Sequence, residues 1–68
     1  MFIRETELEM VARHVAEGAR HIVKQRALIV RLREAGLPTQ EAEALLVAFE
    51  DSQRQHEDHL ARIMSEQE

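Results

Sequence analysis

A break of four residues, Gly36-Leu37-Pro38-Thr39, constrains the fold more than any other feature of the chain. Glycine adopts the left-handed conformation that ends helices, and Leu37 then falls where a Schellman motif folds back towards Leu32. Proline cannot continue the preceding helix and disfavours helical geometry at Leu37. Thr39 is a good N-cap, and the acidic residues after it suit the positive end of a new helix. The break therefore predicts the end of one helix and the start of another.

Before the break, residues recur at the spacing of a coiled coil. The stripe consists of Leu8, Val11, Val15, Gly18, Ile22, Gln25, Ile29 and Leu32. Steps of three and four residues over about three and a half heptads are typical of an amphipathic helix that packs as a coiled coil. We predict this helix over about residues 4–35, weakened at Gly18 by ~1 kcal/mol relative to alanine.

The same spacing after the break predicts a second helix over about residues 40–65, with residues 36–39 as the turn. Its stripe consists of Ala42, Leu45, Leu46, Phe49, Gln53, His56, Leu60 and Ile63. The residues from Ser65 onwards are expected to fray. The fold class is therefore all-α, an antiparallel two-helix hairpin that forms a single domain over residues 1–68.

Charge favours the antiparallel arrangement. Residues 20–33 contain five basic residues and no acidic one, whereas residues 40–68 contain eight acidic residues and two basic ones. Folding at the break lays the basic segment beside acidic positions of the second helix. Residues equally far from the centre of the break, between Leu37 and Pro38, are expected to lie at one height. This counting places His14 near Ala61.

The size of the chain points to a partner. A chain of 68 residues buries only about 60% of its unfolded surface, and without cysteine it has neither disulfides nor thiolate metal sites. Several apolar residues lie beside the two stripes, namely Val23, Leu28, Val30, Leu46 and Met64. A second hairpin on these residues would complete a four-helix bundle. We predict a homodimer, the commonest closed assembly, with a tetramer, a complex with another protein or a monomer as alternatives.

Four residues on the stripes interrupt their apolar character: Gly18, Gln25, Gln53 and His56. We interpret them as a structural polar layer. In this interpretation the imidazole of His56 packs opposite the glycine, and its nitrogen bonds to a glutamine or to water. Such buried polar residues fix register and oligomer state at some cost in stability.

The four histidines leave a metal site as the alternative. His14 and His21 lie seven residues apart on the first helix, and His56 and His59 lie three apart on the second. His21, His56 and His59 are the candidate ligands, because imidazole with carboxylate suits zinc, iron or nickel. The Glu-x-x-His motif of di-iron bundles is missing, since Glu17 precedes His21 by four residues. We therefore predict no cofactor and keep metal binding as the alternative.

Composition argues against several other functions. Two phenylalanines, no tryptophan or tyrosine and a net charge of -4 do not suit base stacking or phosphate binding.

The longest apolar run, residues 27–30, is far short of the ~20 residues that cross a bilayer. No secretory signal is visible near the start, so we expect a cytoplasmic protein. Ser52, His56 and Asp58 are the residue types of a hydrolase, but two helices suggest no cleft, and we predict no enzyme activity.

Several short motifs lie across residues 13–60 and carry a resemblance to a known group of proteins. They are Arg13-His14-Val15-Ala16-Glu17-Gly18, Arg20-His21-Ile22, Gln25-Arg26, Leu45-Leu46, Phe49-Glu50, Gln53 and His56. In these motifs the chain resembles small alphaproteobacterial proteins of the rhizobial type, to which no activity is assigned. The resemblance implies the hairpin fold and a bacterial origin. Together with the residue patterns it leads us to predict a non-enzymatic protein-interaction module built as a homo-oligomeric helical bundle.

Overall fold

The computed structural model describes residues 5–67. Within that range the chain forms two α-helices and no strand. Helix α1 spans Glu7–Glu34 and helix α2 spans Gln40–Glu66, one residue beyond the predicted end. The two helices pack against each other as a hairpin, which confirms the prediction of an all-helical, two-helix protein.

Helix α1 begins at Glu7, later than predicted, because a capping box fixes its first turn. The backbone of Thr6 is extended (φ -73°, ψ 163°), so the helix cannot include it. The Thr6 hydroxyl accepts a hydrogen bond from the Glu9 backbone N–H at 3.1 Å, and the Glu9 carboxylate accepts one from the Thr6 backbone N–H at 3.3 Å. The sequence carries this signal as Thr6-x-x-Glu9. Heptad spacing alone does not reveal this capping box. The predicted start of the helix, near residue 4, lies outside the described residues.

The predicted Schellman motif ends α1. Gly36 has a φ of 70°, in the left-handed region that favours glycine. The backbone N–H of Leu37 donates to the carbonyl of Leu32 at 2.9 Å, and that of Gly36 donates to the carbonyl of Arg33 at 3.1 Å. These two bonds define the motif, so the predicted stop is confirmed.

Helix α2 starts at the predicted place but without the predicted side-chain cap. Thr39 occupies the N-cap position, and its side chain makes no capping hydrogen bond. Its backbone (φ -116°, ψ -2°) is already near helical, whereas a capping side chain needs an extended residue. The Thr39 carbonyl instead accepts the backbone N–H of Glu43 at 2.8 Å. Acidic residues Glu41 and Glu43 lie in the first turn, where they complement the helix dipole.

These two N-termini give a matched pair of substitutions. We expect Thr6→Ala to lower the free energy of unfolding by about 1 kcal/mol, because it removes a side-chain cap. Thr39→Ala removes no such bond and is expected to change stability by less than about 0.5 kcal/mol. Urea denaturation followed by circular dichroism measures both values. Equal losses for the two variants would contradict the capping assignment.

The predicted stripes meet in the contact between the helices, here called the seam. All eight residues of the first stripe are buried or partly buried, and so are all residues of the second except Leu45, which is 47% exposed. Leu46 takes the seam position between Ala42 and Phe49, and Leu45 is rotated about 100° away from it. Among residues 5–67, three apolar side chains, those of Val11, Ile29 and Ile63, are buried. The core of a single hairpin is therefore thin.

Across residues 5–67, neither helix has an apolar stretch of the length that a membrane-spanning helix requires.

Candidate functional site

One side of the seam opens into a cavity of about 140 Å³. We call it the histidine cavity, because three imidazoles line it together with a carboxylate, an amide and a hydroxyl. Its lining consists of His14, Glu17, Gly18, His21, Phe49, Ser52, Gln53 and His56. Both helices contribute, so the cavity depends on the register between them.

Gln53 is the buried polar residue of this cavity, with 8% of its surface exposed. Its side-chain Nε2 donates a hydrogen bond to the backbone carbonyl of Val15 on α1, at 2.8 Å. Its Oε1 lies against Gly18, where the Cβ of any other residue would overlap it. This oxygen has no hydrogen-bond partner among residues 5–67. An orphaned buried acceptor is uncommon and calls for an explanation.

Gln25 makes the corresponding contact nearer the turn. It is also 8% exposed, and its Nε2 donates to the backbone carbonyl of Ala42 on α2, at 2.8 Å. The two glutamines thus lie at two heights of the hairpin rather than in one layer, and each ties its own helix to the backbone of the other. A slip of one residue would break both bonds, which supports the predicted role in register.

The histidines show that the register differs from the predicted one. The rings of His14 and His56 face each other with their centroids 5.3 Å apart, tilted by 42°, whereas counting from the break placed His14 near Ala61. Gly18 likewise receives the amide of Gln53 rather than the imidazole of His56. Gly36, where the backbone enters the left-handed region, lies before the midpoint between Leu37 and Pro38 that the counting assumed.

The remaining two histidines have different surroundings. The ring of His21 packs at 5.9 Å from that of Phe49, at the cavity. His59 lies outside the cavity, and its Nε2 is 3.2 Å from a carboxylate oxygen of Glu7. Of the predicted metal ligands, His21 and His56 therefore share the cavity, and His59 does not. Among residues 5–67, no three histidine or acidic side chains already converge closely enough to hold an ion.

Two interhelical ion pairs lie on the other side of the seam. Arg26 pairs with Glu50 at 2.9 Å, and Arg33 pairs with Glu43 at 3.2 Å, as the opposite charges of the two helices predicted. Both arginines directly follow a seam residue. By contrast, His14 directly precedes the seam residue Val15, so His14 lies on the opposite side of the seam from the ion pairs. Such exposed pairs each contribute at most about 1 kcal/mol.

Sequence reasoning missed a charge cluster next to the cavity. The guanidinium of Arg13 donates two hydrogen bonds to the Glu5 carboxylate, at 2.8 and 3.0 Å, and one to Glu17 at 3.1 Å. These bonds from Arg13 hold the pKa of Glu5 below its ordinary value, and the two carboxylates raise the pKa of Arg13. Heptad spacing gives no sign of the Arg13–Glu5 pair, because Glu5 precedes the helix.

The lowered pKa of Glu5 gives a pH dependence of known sign. The stabilisation is complete above the ordinary glutamate pKa, and it is lost as the pH falls through the lowered pKa of the folded chain. We therefore expect acidification to loosen the first turn of α1 in the native chain, and less so in Glu5→Gln, which has no carboxylate at this position. Amide chemical shifts of residues 6–9 would measure this. Identical titration curves for the two proteins would contradict the pairing.

Comparison of the chain with known protein families, with curated proteins and with solved structures found no match. The resemblance to rhizobial-type proteins therefore stays a prediction. The function must be inferred from the geometry of the hairpin, its surfaces and its cavity.

Proposed function

We propose that this chain is a non-enzymatic protein-interaction module whose partner is a second copy of itself, so that two hairpins form a four-helix bundle. The observation that carries the proposal is the amount of surface that a single hairpin leaves exposed. A hairpin that buries three apolar side chains within residues 5–67 gains little from its own core. Small scaffolds without disulfides commonly gain the missing stability by oligomerising.

The exposed area quantifies this excess. A compact monomer of this mass exposes about 4,400 Å², whereas this chain exposes 5569 Å². The excess of roughly 1,200 Å² is comparable to the ~800 Å² that each partner buries in a standard protein interface. The radius of gyration of 15.8 Å, against about 11 Å for a compact domain of this length, agrees with an elongated protomer. One copy of the chain therefore has the area that a stable dimer needs.

The exposed apolar residues favour one face for this interface. Val23, Val30, Val47 and Met64 are 66%, 49%, 56% and 55% exposed. Each directly follows a seam residue, so all four lie on the side of the seam that carries the interhelical ion pairs. We call this surface the valine face. Large apolar side chains exposed along one side of a small protein mark an interaction surface.

The electrostatics of the valine face suit a second copy. Val23 and Val30 lie three residues before Arg26 and Arg33, and Val47 lies three residues before Glu50, so the ion pairs border the valines. Because each arginine is paired with a glutamate of the same hairpin, the bordering charges cancel within one protomer. Two identical valine faces can therefore meet about a two-fold axis without strong repulsion.

A concentration series tests the proposal. Dimerisation couples folding to association, so the melting temperature is expected to rise by several °C over a hundredfold increase in protein concentration. Circular dichroism at 222 nm would follow the helices of the untagged chain. A melting temperature that does not depend on concentration would contradict self-association.

A further inference from the structure

We propose that the histidine cavity binds one divalent transition-metal ion of the zinc class through His14, Glu17 and His56. This set differs from the ligands that the sequence favoured, because the structure separates His59 from the cavity. The proposal concerns the side of the seam opposite the valine face, and it does not depend on dimerisation.

The two imidazoles already have the spacing of a ligand pair. Zinc binds imidazole nitrogen at about 2.0–2.1 Å in tetrahedral geometry, which places the centroids of two rings on one ion about 5 Å apart. The rings of His14 and His56 are 5.3 Å apart and tilted by 42°. The backbone of the hairpin therefore needs no rearrangement to offer two ligands from two helices. The proposed site requires only a rotation about the side-chain bonds that aims one nitrogen of each ring at a common point.

Glu17 is placed to supply the third ligand. It lies three residues after His14 on α1, on the same face of the helix, and both side chains line the cavity. Arg13 bonds to Glu17 through Oε1 at 3.1 Å, and the other carboxylate oxygen can turn towards the ion. Arg13 would then act as an outer-shell partner that orients the ligand, a common arrangement at metal sites. Movement of Glu17 is the step that completes the site, because three ligands do not yet converge within residues 5–67.

Gln53 provides an independent sign of an occupant. Its Oε1 is buried and lacks a hydrogen-bond partner among the described residues, and Gln53 is one of the residues that line the same cavity. A bound molecule whose hydrogen-bond donor reached this oxygen would satisfy it. Three protein ligands leave the fourth position of a tetrahedral ion to a water molecule, and such a water is a donor. A cavity of about 140 Å³ has room for both, since one water occupies ≈ 30 Å³ in the liquid.

Titration of the untagged full-length chain with Co²⁺ tests the proposal, because a tetrahedral cobalt site has visible absorption bands whose position and intensity report its ligands. We expect one ion per chain, displaced by Zn²⁺. His56→Leu is expected to weaken binding by more than about tenfold, the loss seen even for outer-shell partners. The matched control is His59→Leu, which removes a histidine of the same helix outside the cavity and is expected to bind as the native chain does.

Circular dichroism of each variant separates loss of a ligand from loss of the fold. His56→Leu is expected to keep its helices, because leucine fills a partly buried position of the seam; if it unfolds, His14→Gln takes its place in the same titration. The proposal is overturned if the native chain binds no cobalt. It is equally overturned if His59→Leu weakens binding as much as the cavity variant does, since that result indicates chelation by surface histidines.

Discussion

The double substitution Val23→Glu, Val30→Glu is expected to convert the proposed dimer into monomers and to lower the melting temperature sharply. Both side chains are largely exposed in one hairpin, so neither glutamate would strain an isolated protomer. In a dimer through the valine face, the two glutamates would be buried beside the same residues of the other copy. Burying an unpaired charge costs several kcal/mol. We expect the dissociation constant to rise by more than 100-fold, since about 2.7 kcal/mol is sufficient for that change.

The matched control is Leu45→Glu, which places the same charge at another exposed apolar position. Leu45 is 47% exposed and directly precedes the seam residue Leu46, so it lies on the side of the histidine cavity. Sedimentation velocity would compare the variants at one concentration. If Leu45→Glu separates the protomers and the double valine variant does not, the interface lies on the cavity side and the assignment to the valine face is wrong.

Gly18→Val is expected to lower the free energy of unfolding by about 2 kcal/mol, within the range that overpacking costs. Its Cβ would overlap Oε1 of Gln53, and the amide that must then move is the one that donates the hydrogen bond to Val15. Valine forms helices somewhat better than glycine, by a few tenths of a kcal/mol, which does not offset this loss. The loss of stability is therefore expected at a position where replacing glycine would ordinarily stabilise a helix.

Two further variants isolate the steric cause of that loss. Ala27→Val introduces the same side chain at an exposed position of α1 and is expected to cost only about 0.5 kcal/mol in helix propensity. Combining Gly18→Val with Gln53→Ala removes the overlapping amide, and we expect a coupling energy of at least 1 kcal/mol between the two sites, in the range found for residues in contact. Additive losses in chemical denaturation would contradict direct contact between these residues.

Local signals in the sequence were sufficient to predict the two helices and the stop between them. Gly36 and Pro38 each act through their own backbone, so the Schellman motif could be predicted without knowledge of any distant residue. The heptad spacing likewise identified the buried face of each helix, because helical periodicity is a local property. Leu45 was the exception: two adjacent leucines compete for one seam position, and only packing against α1 decides between them.

The register of the hairpin could not be predicted from the same signals. It depends on where Gly36 reverses the chain and on how the amide of Gln53 fits against Gly18, and both are matters of tertiary packing. A shift of five residues along α2, more than one helical turn, places His14 opposite His56 instead of Ala61. The composition of the histidine cavity therefore became visible only in three dimensions, although two of its three histidines, His21 and His56, were candidate ligands from the start.

Native mass spectrometry of the untagged chain tests the central claim, self-association of the hairpin, most directly. The protein should be purified without chelator and sprayed from a solution in which circular dichroism shows both helices formed. The account predicts a dominant species at twice the mass of one chain. A dominant species at the mass of a single chain, from the same fully helical solution, would contradict it.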